Sequence, residues 1–211
     1  TRDARGEYMF SGFQGKTQPF ERQPDGSYSY EGDEGQRKLQ IGSSLSVAIG
    51  DNGKQIFENI PNAARLKSEL AAPAPTGSTL MVSQPLIQNE VSYSGNPAFP
   101  ADGVEVRFGD PAGDAKDYKV FASPYTAGDE PLQIGRLDND AGRADTLTFR
   151  GVTMQFEGAP VGGEVVTVAA KPNSEKQGLL DTVRQLRMAL EDNTDTPQDK
   201  LKTRDAVAAA L

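Results

Sequence analysis

Tyr8-Met9-Phe10-Ser11-Gly12, Pro19-Phe20 and Asp25-Gly26-Ser27-Tyr28-Ser29-Tyr30-Glu31-Gly32-Asp33-Glu34-Gly35-Gln36-Arg37-Lys38-Leu39-Gln40-Ile41 decide how this chain reads. Short alternating runs are separated by Asp-Gly and Gly-rich punctuation, the pattern of strands joined by tight turns. None of these residues is an obvious catalyst, so the stretch points to a surface and a shape. Upstream, residues 1–6 read as the tail of a helix closed by a left-handed Gly6, and residues 7–13 as a strand. Residues 20–49 read as three strands, with turns at Pro24-Asp25-Gly26 and Gly32-Asp33-Glu34-Gly35. Asp51-Asn52-Gly53-Lys54 is one more turn signal.

Downstream, residues 63–72 suit a short helix with Leu66 and Leu70 on one face, stopped by Pro73 and Pro75. Residues 79–91, 104–108, 118–122, 147–156 and 164–169 read as strands, with Val104-Glu105-Val106-Arg107-Phe108 showing a one-face-wet alternation. The period then changes. Leu179, Val183, Leu186 and Leu190 are spaced four, three and four, one stripe on a helix. Thr196-Pro197 opens a second helix that runs through Leu201 and Val207 to the last residue, as if cut inside it. The fold class is therefore α+β, mostly β. A β-rich domain over residues 16–172, of one or two subdomains, is expected to be inserted into a helical domain made of residues 1–15 and 173–211.

Composition narrows the function. The 211 residues suffice for one large or two small domains, and 22 Gly with 14 Pro suit many turns. The first residue is Thr1, which fits a piece of a longer chain. A formal charge of −8 repels phosphate backbones and anionic membranes, which argues against nucleic acid as a partner. No apolar run is long enough to insert in a bilayer, and the chain does not open on an export signal. Cys, His and Trp are absent. Their absence removes disulfides, thiol nucleophiles, Cys/His zinc sites and any Ser-His-Asp arrangement. A chain without covalent staples also suits a protein that travels unfolded and refolds.

Four features invite sharper readings. Asp138-Asn139-Asp140-Ala141-Gly142-Arg143-Ala144-Asp145 alternates oxygen donors, but Gly142 takes the fifth position and no Glu takes the twelfth, so a solvated acidic turn fits better than a calcium loop. The carboxylate pairs Asp33/Glu34, Asp129/Glu130 and Glu191/Asp192 are what chance gives among 30 acidic residues, and no enzyme or cofactor is expected. Tyr28 and Tyr30 share a strand face and could stack on sugar rings, the one feature favouring an extracellular carbohydrate-binding β module; covering a local core is the simpler reading. The stripe Leu179/Val183/Leu186/Leu190 suits helix packing.

The segments from Tyr8 to Gly12, Pro19-Phe20 and Asp25 to Arg37 resemble the flagellar hook-associated protein 3 family, the flagellin-like subunits of the hook–filament junction. Gly151-Val152-Thr153-Met154-Gln155-Phe156, Gly158-Ala159-Pro160, Gly162-Gly163-Glu164 and Leu179-Leu180-Asp181-Thr182-Val183 resemble the strand pair and following helix shared by flagellin relatives; residues 61–145 carry no such resemblance. The resemblance implies a flagellin D1-like helical domain, here truncated, carrying a D2-like β domain. It implies terminal helices outside this sequence, export through the flagellar channel, and an extracellular place in the bacterial flagellum. It also implies a structural adaptor between hook and filament, with self-association, a neighbouring hook-associated protein, flagellin and the export machinery as partners. Flagellin itself or another hook-associated subunit is the alternative within the class. Leu179, Val183, Leu186 and Leu190 are then expected to pack helices of the inner domain, with Tyr8 and Phe10 anchoring the first strand to it.

Overall fold

A computed structural model describes residues 1–72, 75–109, 113–138, 144–191 and 196–210. Along the chain run β1 (Phe20–Arg22), β2 (Tyr28–Tyr30), β3 (Lys38–Gln40), β4 (Ser46–Ala48), α1 (Gly53–Phe57), β5 (Ile60–Pro61) and β6 (Leu66–Leu70). Then come β7 (Met81–Val82), β8 (Leu86–Ile87), α2 (Glu90–Tyr93), β9 (Val104–Phe108), β10 (Asp117–Ala122) and β11 (Gln133–Arg136). The remainder is β12 (Asp145–Phe149), β13 (Val152–Glu157), β14 (Val165–Ala170), β15 (Lys176–Gln177), α3 (Leu179–Glu191) and α4 (Pro197–Ala210). The class is α+β with strands predominating. The chain divides into two compact units. Unit 1 holds Thr1–Asn62 and the segment from Glu175 through α3; unit 2 holds Ala63–Ser174 and α4 up to Ala209.

Unit 2 is a two-layer β structure. One antiparallel sheet has the order β11-β10-β9-β14-β6; the other has β12-β13-β7, with β8 also paired to β13. Alternation along the strands sorts side chains onto an inner and an outer face. Register stacks Tyr118 against Phe108, and Val106 between Val120 and Val166, on one inner face. Leu147 faces Met154 and Phe149 faces Val152 on the other. All of these belong to one buried cluster, in which the Phe108 and Phe156 rings meet edge to face at 5.3 Å. The layers enclose that core as packed sheets do. One buried carboxylate is tolerated because its hydrogen bonds are made: Glu164, 2% exposed, accepts from the Ser78 hydroxyl at 2.7 Å and the Val161 N–H at 3.0 Å.

Several local expectations are corrected. Residues 66–70 form a strand, not a helix: β6 pairs with β14 from Leu66↔Ala170 to Leu70↔Val166. The spacing of four between the two leucines is even, so it places both on one face of a strand as readily as of a helix. Residues 147–156 are a hairpin of β12 and β13 rather than one strand. Arg150 (φ 45°) and Gly151 (φ 79°) make the turn, and a side chain on Gly151 would overlap the Asn89 carbonyl. Residues 79–91 hold two short strands and the start of α2, and residues 20–49 hold four strands. Residues 1–6 are not helical. Asp3 Oδ1 accepts from the Arg5 and Glu7 N–H groups, each at 2.9 Å, and this local capture competes with helix formation. Residues 7–13 make only isolated bridges, Arg2↔Tyr8 and Ser11↔Asn52. The acidic turn read as a possible calcium loop falls largely on residues 139–143, outside the described residues.

Unit 1 is built from small pieces: the hairpins β1–β2 and β3–β4, the short pair β5–β15, and helices α1 and α3. Pairing of Ile60 with Gln177 and Pro61 with Lys176 joins the two chain segments on either side of Ala63–Ser174. The units divide after Asn62, after Ser174 and again beyond α3, so that α4, expected with the helical domain over residues 173–211, groups with unit 2. Residues 16–62 stay with the N-terminal segment because the Phe10 and Phe20 rings both pack edge-on to Phe57, at 5.2 and 5.8 Å.

Candidate assembly surface

The centre of unit 1 is aromatic and polar together. Phe10, Phe20 and Phe57 touch ring to ring, and Tyr30 leans on Phe20 at 5.3 Å. The Tyr30 hydroxyl donates toward two carbonyls, of Phe10 at 2.9 Å and Asp33 at 2.8 Å, and burial raises its pKa. Asp33 Oδ1 accepts from the Phe13 and Gly35 N–H groups, both at 2.8 Å, which holds its carboxyl below the usual value. Gly12, at φ +68°, lies so close that a Cβ would overlap the Asp33 carbonyl and carboxylate oxygens. Arg37 pairs with Glu7 and donates to the Tyr8 carbonyl at 3.0 Å. Beside these, Glu34 meets Lys54 at 2.6 Å and raises its pKa, while burial raises that of Glu58.

Around this centre the apolar side chains lie open. No large apolar side chain of unit 1 is fully buried among the described residues. Tyr8, Phe10, Pro19, Phe20, Phe57 and Leu179 line a groove of about 340 Å³ together with Leu180. Helix α3 buries no residue fully; Leu179, Val183 and Leu190 are 45%, 58% and 57% exposed, and Leu186 is half-buried. The groove thus gathers Tyr8, Phe10 and Leu179, while Val183 and Leu190 stand apart from it on the open side of α3.

Sequence reading missed a second open face. In the β3–β4 hairpin Leu39 pairs with Val47; Ile41 donates its N–H to the Leu45 carbonyl, and Ile49 to that of Arg37. Directly paired residues share a face. Leu39, Ile41, Leu45, Val47 and Ile49 therefore make one apolar strip, and all five are exposed. The signal is the placing of large apolar residues at every second position, 39 and 41 and then 45, 47 and 49.

Tyr28 and Tyr30 do not form a stacking platform. Tyr30 is covered by Phe20 and tied down through its hydroxyl, leaving Tyr28 alone as the exposed ring. Asp33 serves backbone amides and Glu34 serves Lys54, so that carboxylate pair does not converge on a cleft; Asp192 lies outside the described residues. Among the described residues, no cluster of three or more acidic groups could hold a metal ion, and no helix is long and apolar enough to cross a membrane.

Solved structures share the fold. FlgL from Xanthomonas campestris matches the whole chain with a TM-score of 0.62 at 21% identity, the match covering 61% of the FlgL chain. The flagellar junction protein FlgL from Legionella pneumophila gives 0.62 at 23%, covering 65% of that chain. A structure of flagellar hook associated protein-3 from the same organism gives 0.63 at 23%, covering 63%. The chain has a FlgL-like fold. It spans less than two thirds of the length of those FlgL chains. No protein-family model matches the sequence, and no curated protein does.

Proposed function

We propose that this chain is the central part of a structural axial subunit of the bacterial flagellum, an adaptor joining hook to filament. The FlgL-like fold supports the reading, and one observation carries it: unit 1 keeps its apolar groove, its α3 stripe and its hairpin strip open. A compact region that leaves such surface in water is built to be covered. In this reading unit 1 belongs to a helical domain that carries the β-rich segment Ala63–Ser174 of unit 2 as an insertion. The helical domain is completed by helices outside this sequence, consistent with the extra length of the FlgL chains. Tyr8, Phe10 and Leu179 receive one of those helices, and Val183, Leu186 and Leu190 form a second seam. Burial at about 25 cal/mol per Å² of apolar surface then drives closure of the domain and of a symmetric or helical array of subunits.

The protein has no catalytic role in this account. Its partners are its own copies, a neighbouring hook-associated protein, flagellin and the export machinery, and its place is outside the cell. Deleting the gene in the source bacterium is expected to leave hooks without filaments and flagellin monomers in the medium, scored by electron microscopy and immunoblot. Normal filaments on the deletion strain overturn the proposal.

A further inference from the structure

Helix α4 meets unit 2 through apolar and polar contacts together. Leu201 is its one buried side chain among the described residues. The cleft beside α4 is lined from the sheet by the apolar Leu86 and Met154 and by the polar Thr153 and Gln155. About 350 Å³ of space remains there, bordered by Ser83, Gln84, Val207 and Ala208. Specific polar contacts add to this. Asp205 accepts the Gln84 backbone N–H at 2.7 Å, and the Gln84 side chain donates to the Ala64 carbonyl at 2.8 Å. The segment at Gln84 is itself fixed to the sheet: Ser83 donates its N–H to the Gln155 carbonyl at 2.8 Å, and its hydroxyl accepts from the Gln155 N–H at 2.8 Å. Arg204 donates to the Gln155 side-chain oxygen.

We propose that α4 is a releasable latch on unit 2, with the Asp205–Gln84 contact as its catch, closed in acid and opening as the pH rises. The proposal stands on unit 2 alone and does not depend on the flagellar reading. The groups facing Asp205 are the Gln84 N–H, Arg204 beside it on α4, and Lys171 just beyond β14. Lys171 gives its ammonium to the Ala64 carbonyl at 3.0 Å. Burial pushes the Asp205 carboxyl up; the Gln84 N–H and the two cations oppose burial without cancelling it. Burial also lowers Lys171, opposed by its attraction to Asp205. An acid with a higher pKa docked than free binds its proton more tightly when docked. Docking is therefore strongest below the ordinary carboxyl value of 3.8. It weakens as the pH climbs from there through the raised docked value, and is level above it.

The absence of cysteine allows a clean test on this chain. Glu69→Cys and Lys202→Cys, at side chains 63% and 68% exposed, take a pair of spin labels on β6 and α4. Pulsed electron paramagnetic resonance is expected to show one narrow distance at about pH 4 and a second, broad population at about pH 7.5, growing several-fold across that range. Asp205→Asn keeps an acceptor for Gln84 without the charge, and is expected to stay narrow at both values. Asp205→Ala removes the acceptor and is expected to be broad at both. Methyl resonances of Val106 and Val166 report whether the core stays folded. An unchanged distribution in the parent, an Asn variant that opens like the Ala variant, or loss of the core signals along with the distance change overturns the latch.

Discussion

Unit 2 and unit 1 use their apolar residues in opposite ways. In unit 2, Val106, Phe108, Val120, Val152 and Val166 are at most 0% exposed, and two sheets close over them. In unit 1, Leu39, Ile41, Leu45 and Val183 lie between 53% and 58% exposed, and the central aromatic rings are only half-buried among hydrogen-bonded turns. The contrast separates two sources of stability. Unit 2 has a core that organises it from within. Unit 1 is held by capped turns, glycines and a few rings, and leaves much of its apolar surface in water.

The largest effect tests the first half of that contrast. Phe156→Ala removes a ring that is 1% exposed and packed edge-on to Phe108. It is expected to destabilise unit 2 by about 3–5 kcal/mol, read from urea unfolding. A loss below about 1 kcal/mol would mean the layers are loosely packed, and the comparison with unit 1 would lose its basis.

A smaller effect is expected where turn geometry, not burial, holds unit 1. Gly12→Ala places a side chain at φ +68°, against the Asp33 oxygens. The left-handed backbone alone costs about 1–2 kcal/mol. Displacing Asp33 also releases the Phe13 and Gly35 amides, so hydrogen exchange at those two positions should quicken. Unchanged exchange would show that the Asp33 turn is not what fixes this part of unit 1.

Legibility in the sequence divides along the same line. Strands β9, β10 and β14 could be read from alternation, because one face of each is buried and the pattern records it. Helix α3 could be read from its stripe, and the start of α4 from Thr196-Pro197. There the Thr196 hydroxyl accepts the Asp199 N–H at 3.2 Å and donates to the Asp199 carboxylate at 2.6 Å. The Leu66/Leu70 spacing was ambiguous by its arithmetic, and only the pairing of β6 with β14 resolves it. Around residues 1–13 the structure depends on Asp3 and Asp33 side chains bonding backbone amides, and no periodicity announces such contacts. The candidate surface was half legible. The α3 residues and Tyr8 and Phe10 were nominated from the sequence. The hairpin strip was passed over because its alternation reads equally well as a strand facing a core, and only exposure shows that no core lies beneath it.

The smallest effect sharpens the second half of the contrast. Val183 and Leu190 are 58% and 57% exposed, so replacing both with Ser removes little buried area from this chain. The stability of the chain should move by no more than about 0.5 kcal/mol per site in urea unfolding. Solubility should rise, since two apolar groups leave the surface. Under the proposed function, the same pair in a subunit carrying the additional helices should behave differently, because there the stripe would be covered. Each lost side chain would then cost about 1.5–3 kcal/mol of burial, enough to weaken the helical domain or its array in a sedimentation assay. If the two settings respond alike, α3 faces water in both, and the open stripe of unit 1 is a solvated surface rather than a seam.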